Sequence, residues 1–136
     1  MNVLITGADG FIGRNLRQHL AEQRDVEVTT FTRMDKVADL SRAVAGTDFV
    51  FHLAGVNRPQ DPQEFVTGNR DLTDALVRAL EQSPYGRRVP VVFSSSIQAA
   101  HDNPYGASKR VAEQSLAAYA ARSGSPVYVF RLPNVF

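Results

Sequence analysis

Five short apolar runs, rich in β-branched and aromatic residues, recur along the 136-residue chain. They alternate with longer stretches in which apolar positions repeat every three or four residues. The short runs predict β-strands, and the longer stretches predict amphipathic helices. We expect strands at 3–5, 26–31, 49–51, 89–93 and 127–130, and helices at 11–24, 36–45, 62–82 and 105–123.

The alternation of strands and helices predicts an α/β fold. Strands that are apolar along their whole length are typical of a parallel sheet that is covered on both faces, and the intervening helices are the usual crossover connections. We therefore expect a Rossmann-like, doubly wound parallel sheet with helices on both faces, built as one domain over residues 1–136.

Charge and composition narrow the classes of partner. Lysine and arginine number 15 against 14 aspartate and glutamate residues, so no field of one sign favours nucleic acid or an anionic membrane. The chain has no cysteine, and its first apolar run is too short for a secretory leader or a membrane span. We expect a cytoplasmic protein with no nucleic-acid or membrane partner.

The last predicted strand is followed by no helix that could cover it. The strand is followed by Arg131-Leu132-Pro133, and the sequence stops at Phe136. We expect the chain to be the N-terminal part of a longer protein, with the substrate-binding domain outside this sequence.

A glycine-rich segment, Thr6-Gly7-Ala8-Asp9-Gly10-Phe11-Ile12-Gly13, lies between the first strand and the first helix. A loop in this context directs backbone N–H groups and a helix dipole at a phosphate, and its glycines permit a tight turn and close approach of a pyrophosphate. The segment predicts a dinucleotide site.

The residues after the second strand bear on the choice of dinucleotide. An acidic residue there suits the ribose hydroxyls of NAD, and an arginine suits the extra phosphate of NADP. Arg33 stands at this position, with Arg14 at the start of the first helix, so we expect NADP(H) to be preferred. Asp35 is near enough to keep NAD(H) as the alternative.

Tyr105 and Lys109 stand four residues apart at the start of a predicted helix, so they share one face. A phenol is a poor acid near neutral pH, and a neighbouring ammonium group stabilises its phenolate. Ser94-Ser95-Ser96 follow the fourth predicted strand, at the sheet edge where such folds bind ligands. Together these residues predict proton exchange with a carbonyl or an alcohol.

The segments TGADGFIG, HLAG (52–55), SSS (94–96), YGASK (105–109) and RLPNVF (131–136) give the chain a family resemblance. It resembles the extended short-chain dehydrogenase/reductase family, of the NAD-dependent epimerase/dehydratase type. Within that family, HLAGVNRP, VVFSSSIQA and DNPYGASK are most similar to the bacterial capsular-polysaccharide reductases of UDP-sugars that act in UDP-N-acetyl-L-fucosamine synthesis.

The resemblance implies a set of site residues. It makes Ser96, Tyr105 and Lys109 catalytic, with Ser96 and Asn134 contacting the substrate. The implied cofactor-binding residues, including those of the glycine loop, are Gly7, Asp9, Gly10, Phe11, Ile12, Gly13, Arg14, Arg33, Asp39, Leu40, Leu53, Ala54, Gly55, Asn69, Ser94, Tyr105, Lys109 and Pro133.

The resemblance also implies an activity: NADPH-dependent reduction of the 4-keto group of a UDP-linked deoxy-amino sugar for surface polysaccharide. Only eight residues separate Ser96 from Tyr105, fewer than in sugar epimerases, which favours a reductase. The alternatives are an NAD-dependent nucleotide-sugar epimerase or dehydratase, a redox sensor that binds NAD(P) without chemistry, and a fragment that is inactive alone.

Two further expectations concern metals and assembly. His19, His52 and His101 have no second ligand at metal-binding spacing, so we expect no metal site. The apolar positions Leu72, Leu76 and Leu80 and the alanine-rich stretch near residue 120 are expected in the core. In the resembled family the helices at 62–82 and 105–123 form a four-helix contact, which implies a homodimer.

Overall fold

The computed structural model describes residues 1–83 and 88–133. Its five strands form one parallel sheet in the order β2-β1-β3-β4-β5. The strands are β1 (Asn2–Thr6), β2 (Glu27–Phe31), β3 (Phe49–His52), β4 (Val91–Ser96) and β5 (Val127–Leu132). The predicted Rossmann-like α/β class is confirmed.

The helices are α1 (Phe11–Ala21), α2 (Leu40–Val44), α3 (Gln63–Phe65), α4 (Leu72–Glu81) and α5 (Pro104–Ser123). Short 3-10 turns at Val37–Asp39 and Ile97–Ala100 precede α2 and α5, and a π-helical segment at Val66–Asp71 joins α3 to α4.

The two faces of the sheet have separate cores. On one face, Leu16 and Leu20 of α1 pack on Val3 and Ile5 of β1. On the other face, α2, α4 and α5 bury a larger cluster that includes Leu40, Leu76, Phe93, Leu116 and Tyr119. Helices therefore cover both faces, as expected for a doubly wound sheet.

Several predicted boundaries are wrong. The helix expected at 62–82 is three segments, because the backbone widens into π-helical turns at Val66–Asp71. The helix expected at 36–45 is a 3-10 turn followed by the five residues of α2. The three serines are the last residues of β4 and do not follow it, because they pair with Phe130, Arg131 and Leu132 of β5.

The expected core positions are only partly confirmed. Leu76 and Leu80 are buried, and Leu72 packs against the same cluster. In the alanine-rich stretch, Ala117 and Ala121 are exposed, because Leu116 and Tyr119 are the residues that α5 turns toward the sheet.

Candidate active site

The glycine loop joins the end of β1 to the start of α1. Gly7 has a φ of +70°, a left-handed conformation that favours glycine, and its N–H donates to the carbonyl of Phe31 at 2.8 Å. Gly10 is the N-cap of α1 and is extended, and no side chain caps the helix. The first-turn amides of α1 thus face the loop without a side-chain acceptor.

The three glycines differ in what a side chain would meet. A Cβ on Gly7 would lie 2.6 Å from the backbone N of Ala54, and one on Gly13 would lie 2.3 Å from the carbonyl oxygen of Gly7. A Cβ on Gly10 would meet only the Gly7 oxygen, at 3.3 Å. The protein itself needs glycine at 7 and 13, whereas a Cβ on Gly10 would make this single tight contact beside the helix N-terminus. This cradle fits a pyrophosphate.

A cleft of about 900 Å³ opens at the carboxyl ends of β1, β2 and β3. In doubly wound sheets ligands bind at this point, where successive connections leave the sheet in opposite directions. The predicted cofactor residues that line the cleft are Gly7, Asp9, Gly10, Arg33, Leu53, Ala54 and Gly55.

The cleft also has a wall that the sequence analysis missed. Asn57 and Arg58 follow the HLAG segment, and Glu64 and Thr67 come from α3 and the π-helical segment. The signal was available in part, because Asn57 and Arg58 are polar residues at the carboxyl end of a strand. Arg33 and Arg58 thus put two guanidinium groups on one cleft.

Other predicted cofactor residues lie outside the cleft lining. Phe11, Ile12, Gly13 and Arg14 form the first turn of α1, and Arg14 lines a separate groove of about 520 Å³ between α1 and β2.

Three further predicted positions are not among the residues that line the cleft. Oδ1 of Asp39 lies 3.9 Å from Nη2 of Arg42, and Leu40 is buried in the core. Pro133 is exposed just after β5, and Asn134 lies outside the described residues.

Asp35 is held by its own loop. Its Oδ2 accepts hydrogen bonds from the backbone N of Thr32 at 2.7 Å and from the Thr32 hydroxyl at 3.1 Å. Arg33, which lies between them in sequence, has no ion-pair partner in the part of the chain that the structure describes. The loop therefore engages one oxygen of the Asp35 carboxylate, and both Asp35 and Arg33 line the cleft.

The three predicted catalytic residues come from the end of β4 and the start of α5. Ser96 is the last residue of β4, and its hydroxyl accepts from the N–H of Gln98 at 3.1 Å. Asn103 caps α5 through a 2.7 Å hydrogen bond from the N–H of Gly106, and Pro104 occupies the first turn. Tyr105 and Lys109 follow one turn apart on this helix.

Lys109 is almost fully buried, with 5% of its surface exposed. Its ammonium group donates to the carbonyl of Ser94 at 3.1 Å and lies 5.1 Å from the Phe93 ring centre and 6.0 Å from that of Tyr105. Burial lowers the pKa of Lys109 to about 8, and the carboxylate of Glu113 opposes this shift. Near pH 7 the group is therefore still mostly charged, and a charged ammonium group can stabilise a nearby phenolate.

Asn69 ties the cleft to the catalytic helix. Its Oδ1 accepts from the N–H of Val56 at 2.8 Å, and its Nδ2 donates to the carbonyl of Val56 at 3.0 Å and to the Ser108 hydroxyl at 2.9 Å. A Cβ on Gly55 would lie 2.8 Å from both Asn69 Oδ1 and Lys109 Nζ. Gly55 lines the cleft, so only a hydrogen-sized side chain separates the cleft from Lys109.

The three consecutive serines of β4 have different partners. Ser95 donates to Oε1 of Glu113. Arg131 donates to the same oxygen at 2.9 Å and to Oε2 at 2.8 Å. The Arg131 hydrogen bond is the main cause that lowers the pKa of Glu113. Ser95 is therefore committed to this pair, whereas the hydroxyl oxygen of Ser96 accepts from the N–H of Gln98.

The family of the chain follows from comparison with known proteins. The profile of the NAD dependent epimerase/dehydratase family matches residues 3–136. The chain belongs to this family. A UDP-2-acetamido-2,6-beta-L-arabino-hexul-4-ose reductase of Pseudomonas aeruginosa is 54% identical to it over 136 residues, which are 100% of this chain and 36% of that protein.

Solved structures agree with this family assignment. The capsular polysaccharide assembling protein CapF of Staphylococcus aureus superposes with a TM-score of 0.83 at 40% identity, over 100% of this chain and 35% of that one. A UDP-glucuronic acid 4-epimerase from Bacillus cereus superposes with a TM-score of 0.85 at 22% identity, over 100% of this chain and 58% of its own, which shows the shared fold alone.

These comparisons confirm the predicted resemblance to the extended short-chain reductases. Within that family, they confirm the resemblance to the capsular UDP-sugar reductases. The chain spans about a third of the length of the Pseudomonas relative. Within residues 1–83 and 88–133, no helix is long and apolar enough to cross a membrane, and no group of three or more metal-ligating side chains comes together.

Proposed function

We propose that residues 1–136 form the N-terminal NAD(P)-binding domain of a longer enzyme that reduces the 4-keto group of a UDP-linked deoxy-amino sugar. The observation that carries the proposal is the 54% identity to a UDP-sugar 4-keto reductase along the whole chain. The buried Lys109 beside Tyr105, one glycine away from the dinucleotide cleft, supports the same reaction.

The cofactor that fits the site is a nicotinamide dinucleotide. The pyrophosphate would lie on the loop at Gly7, Asp9 and Gly10, and the adenosine end would lie toward Arg33. Leu53, Ala54 and Gly55 would line the opposite wall. When bound in its reduced form, this group supplies the hydride that the keto carbon accepts.

The chain's own residues would handle the proton. Tyr105 donates its phenolic proton to the carbonyl oxygen as the keto carbon becomes an alcohol carbon, and Ser96 holds the same oxygen by a hydrogen bond. Lys109 stabilises the resulting phenolate by its charge. Asn134 would contact the sugar and Pro133 the nicotinamide end, and the product fits surface polysaccharide synthesis, as the CapF relative's name indicates for that protein.

A Tyr105→Phe variant of the full-length protein tests this role. Turnover of a UDP-4-keto sugar, followed as NADPH oxidation, should fall roughly 100-fold or more, because general acid catalysis is lost. NADPH affinity should stay within about threefold, since Tyr105 does not line the dinucleotide cleft.

Tyr119→Phe is the matched control, because Tyr119 lies on the same helix and donates to the carbonyl of Val89 at 3.0 Å, in the core. It should lose stability and keep its turnover. Unchanged turnover in Tyr105→Phe would refute the assignment, and sugar conversion without net NADPH consumption would indicate an epimerase.

We also propose NADP(H) as the preferred cofactor, with NAD(H) as the alternative. Arg33 and Arg58 both line the cleft; Asp35 lines it too, but Oδ2 of its carboxylate is engaged by Thr32. A guanidinium group binds a phosphate well, and a carboxylate held by its own loop is less available to ribose hydroxyls.

An Arg33→Asp variant tests the cofactor preference by calorimetry with NADPH and NADH. We expect NADPH affinity to fall at least about tenfold and NADH affinity to change little, because one phosphate contact is lost. Arg24→Asp, an equal change of charge at an exposed position between α1 and β2, should alter neither affinity. If Arg33→Asp kept the wild-type preference between NADPH and NADH, Arg33 would not determine which cofactor binds.

Homodimerisation through α4 and α5 is a further part of the proposal. Most of α4 is buried in the sheet core, so α5 would supply most of the contact through exposed small and branched residues such as Val111, Ala117 and Ala121. Sedimentation of the full-length protein, with Ala117→Glu as the disrupting variant, would show whether a dimer forms through this face.

A further inference from the structure

Three buried side chains outside the proposed chemistry form a continuous chain of hydrogen bonds. Thr6, His52 and Thr73 come from β1, β3 and α4, and each has at most 1% of its surface exposed. Thr6 Oγ1 lies 2.7 Å from His52 Nδ1, and His52 Nε2 lies 2.8 Å from Thr73 Oγ1. The histidine ring therefore bridges two hydroxyl groups across the sheet.

The partners at the two ends fix the direction of every bond. Thr73 Oγ1 lies 2.7 Å from the carbonyl oxygen of Asn69, which can only accept, so the single hydroxyl hydrogen of Thr73 points there. Thr73 must then accept from His52, which places the ring proton on Nε2.

The directions of the remaining hydrogen bonds follow from that tautomer. His52 Nδ1 carries no proton and accepts from Thr6, whose oxygen in turn accepts from the N–H of Ala54 at 3.2 Å. Burial, and then the nearby charge of Lys109, lowers the pKa of His52 to about 3, which agrees with a neutral ring.

Each end of the chain lies at a part of the candidate site. Thr6 directly precedes Gly7, whose tight contact with Ala54 shapes the glycine loop. At the other end, the Asn69 carbonyl lies in the π-helical segment, and the Asn69 side chain holds Val56 and Ser108. Gly55 brings this amide and the Lys109 ammonium group to the same small space.

We propose that His52 is a positioning residue for the reaction proposed above: with its proton on Nε2, it fixes the Asn69 carbonyl relative to the glycine loop and so keeps the Lys109 pocket closed to water. His52 does not touch substrate or cofactor in this role. Loss of these hydrogen bonds lets Asn69 shift. Water then enters beside Lys109, and the alignment of Lys109 with Tyr105 is weakened.

The chain offers a matched pair of variants. Thr73 and Thr47 are both buried, and each hydroxyl donates to the carbonyl four residues earlier, Asn69 and Ala43 respectively. Only Thr73 contacts His52. Thr73→Val and Thr47→Val thus remove the same kind of bond, and Thr73→Ser keeps the hydroxyl.

The first measurement is the pKa of Lys109 in the full-length protein, from NMR of lysine labelled with ¹³C at Cε. The titratable groups around Lys109 are His52 from β3 and Tyr105 and Glu113 from α5, with Arg110 and Arg131 beside Glu113. We expect about 8 in the wild type and in Thr47→Val. Thr73→Val and His52→Phe should raise it by about one unit or more, because desolvation is relieved, and Thr73→Ser should restore it.

The second measurement is turnover of the UDP-4-keto sugar with NADPH. Thr73→Val should lower kcat about tenfold and leave the KM for NADPH nearly unchanged, while Thr47→Val should keep the wild-type kcat at a similar loss of Tm. Equal Lys109 pKa values in the two valine variants would overturn the positioning role. A wild-type protein without this turnover would refute the proposed function instead, and the Lys109 titration would still decide the role of His52.

Discussion

Gly7, Gly10 and Gly13 share one sequence motif but meet different surroundings. Gly7 and Gly13 are closely surrounded by backbone atoms of the protein, at 2.6 and 2.3 Å from an added Cβ. Gly10 has only one neighbour, at 3.3 Å, and faces the cleft. The fold therefore requires glycine at 7 and 13 more strictly than at 10, where we propose that a ligand approaches.

A comparison of Gly10→Ala with Gly13→Ala separates these two roles. We expect Gly10→Ala to lower the free energy of unfolding by about 1 kcal/mol, because alanine suits a helix N-cap less well than glycine and its Cβ would lie 3.3 Å from the Gly7 oxygen. Its affinity for NADPH should fall about tenfold or more, because the methyl group lies where the pyrophosphate would approach.

Gly13→Ala should instead destabilise the domain by more than about 2 kcal/mol, since its Cβ would overlap the Gly7 carbonyl. Urea unfolding and calorimetry report the two quantities. If Gly10→Ala bound NADPH as tightly as the wild type, the loop would not hold the pyrophosphate.

Residue identities were more predictable than residue surroundings. The sequence indicates Lys109 from its spacing to Tyr105, but its burial depends on Phe93 and on the carbonyl of Ser94, which come from another part of the chain. The sequence leaves the carboxylate of Asp35 available to the ribose hydroxyls of NAD, but in the structure its Oδ2 accepts two hydrogen bonds from Thr32. Such contacts are set by tertiary packing, which local pattern does not contain.

At the scale of elements, the alternating pattern predicted all five strands, because apolar runs of three to six residues between polar turns are typical of buried strands. The segment at 62–82 was predicted as one regular helix, since a π-helical insertion keeps nearly the same polarity pattern. Its cause is tertiary: the Asn69 side chain bonds Val56 and Ser108 on neighbouring segments. Such π-bulges often mark functional sites.

The start of α5 is the element boundary on which the site depends most. Asn103 caps the helix through Gly106 and also donates to the side chain of Gln98 at 3.0 Å, while a Cβ on Gly106 would lie 2.0 Å from the carbonyl oxygen of Gln98. The first turn of α5, which carries Tyr105, is thus held against the 3-10 turn after Ser96.

An Asn103→Ala variant should cost about 1 kcal/mol of folding free energy, because the first helical turn loses its cap. We expect kcat to fall several-fold as well, since Tyr105 lies two residues beyond the cap. Asn103→Asp keeps the acceptor oxygen and should recover most of the stability. Urea unfolding and NADPH oxidation measure the two effects, and a stable, fully active Asn103→Ala would show that the cap does not position Tyr105.

At the scale of the whole molecule, the two sheet faces are covered unequally. Val3, Ile5, Phe49 and Phe51 pack with α1, but Tyr128 and Phe130 on β5 are 50% and 54% exposed. They pair with Val92 and Ser94 of β4. Val129, on the opposite face of β5, is also 41% exposed, so this strand is poorly covered on both faces, as expected for a strand that no helix follows in the sequence.

The two strongly shifted groups give the molecule an unusual dependence of stability on pH. His52 has a folded pKa of about 3 against an ordinary 6.5, so between these values the unfolded chain binds a proton that the folded chain does not. Stability therefore falls as the pH is lowered from about 6.5 to 3. Lys109 has a folded pKa of about 8 against 10.5, so stability rises as the pH is raised from 8 to 10.5.

Both shifts arise from burial, and both favour the folded state at higher pH. The lowered pKa of Lys109 reduces the free energy of unfolding at pH 7 by on the order of 3 kcal/mol, since each unit of pKa difference corresponds to about 1.4 kcal/mol.

Lys109→Met should therefore stabilise the protein at pH 7 and lose this advantage near pH 10. His52→Gln should reduce the loss of stability between pH 6.5 and pH 4. Urea midpoints from pH 4 to pH 10 would show both effects. A Lys109→Met variant no more stable than the wild type at pH 7 would mean that the ammonium group is well solvated and that burial does not lower its pKa.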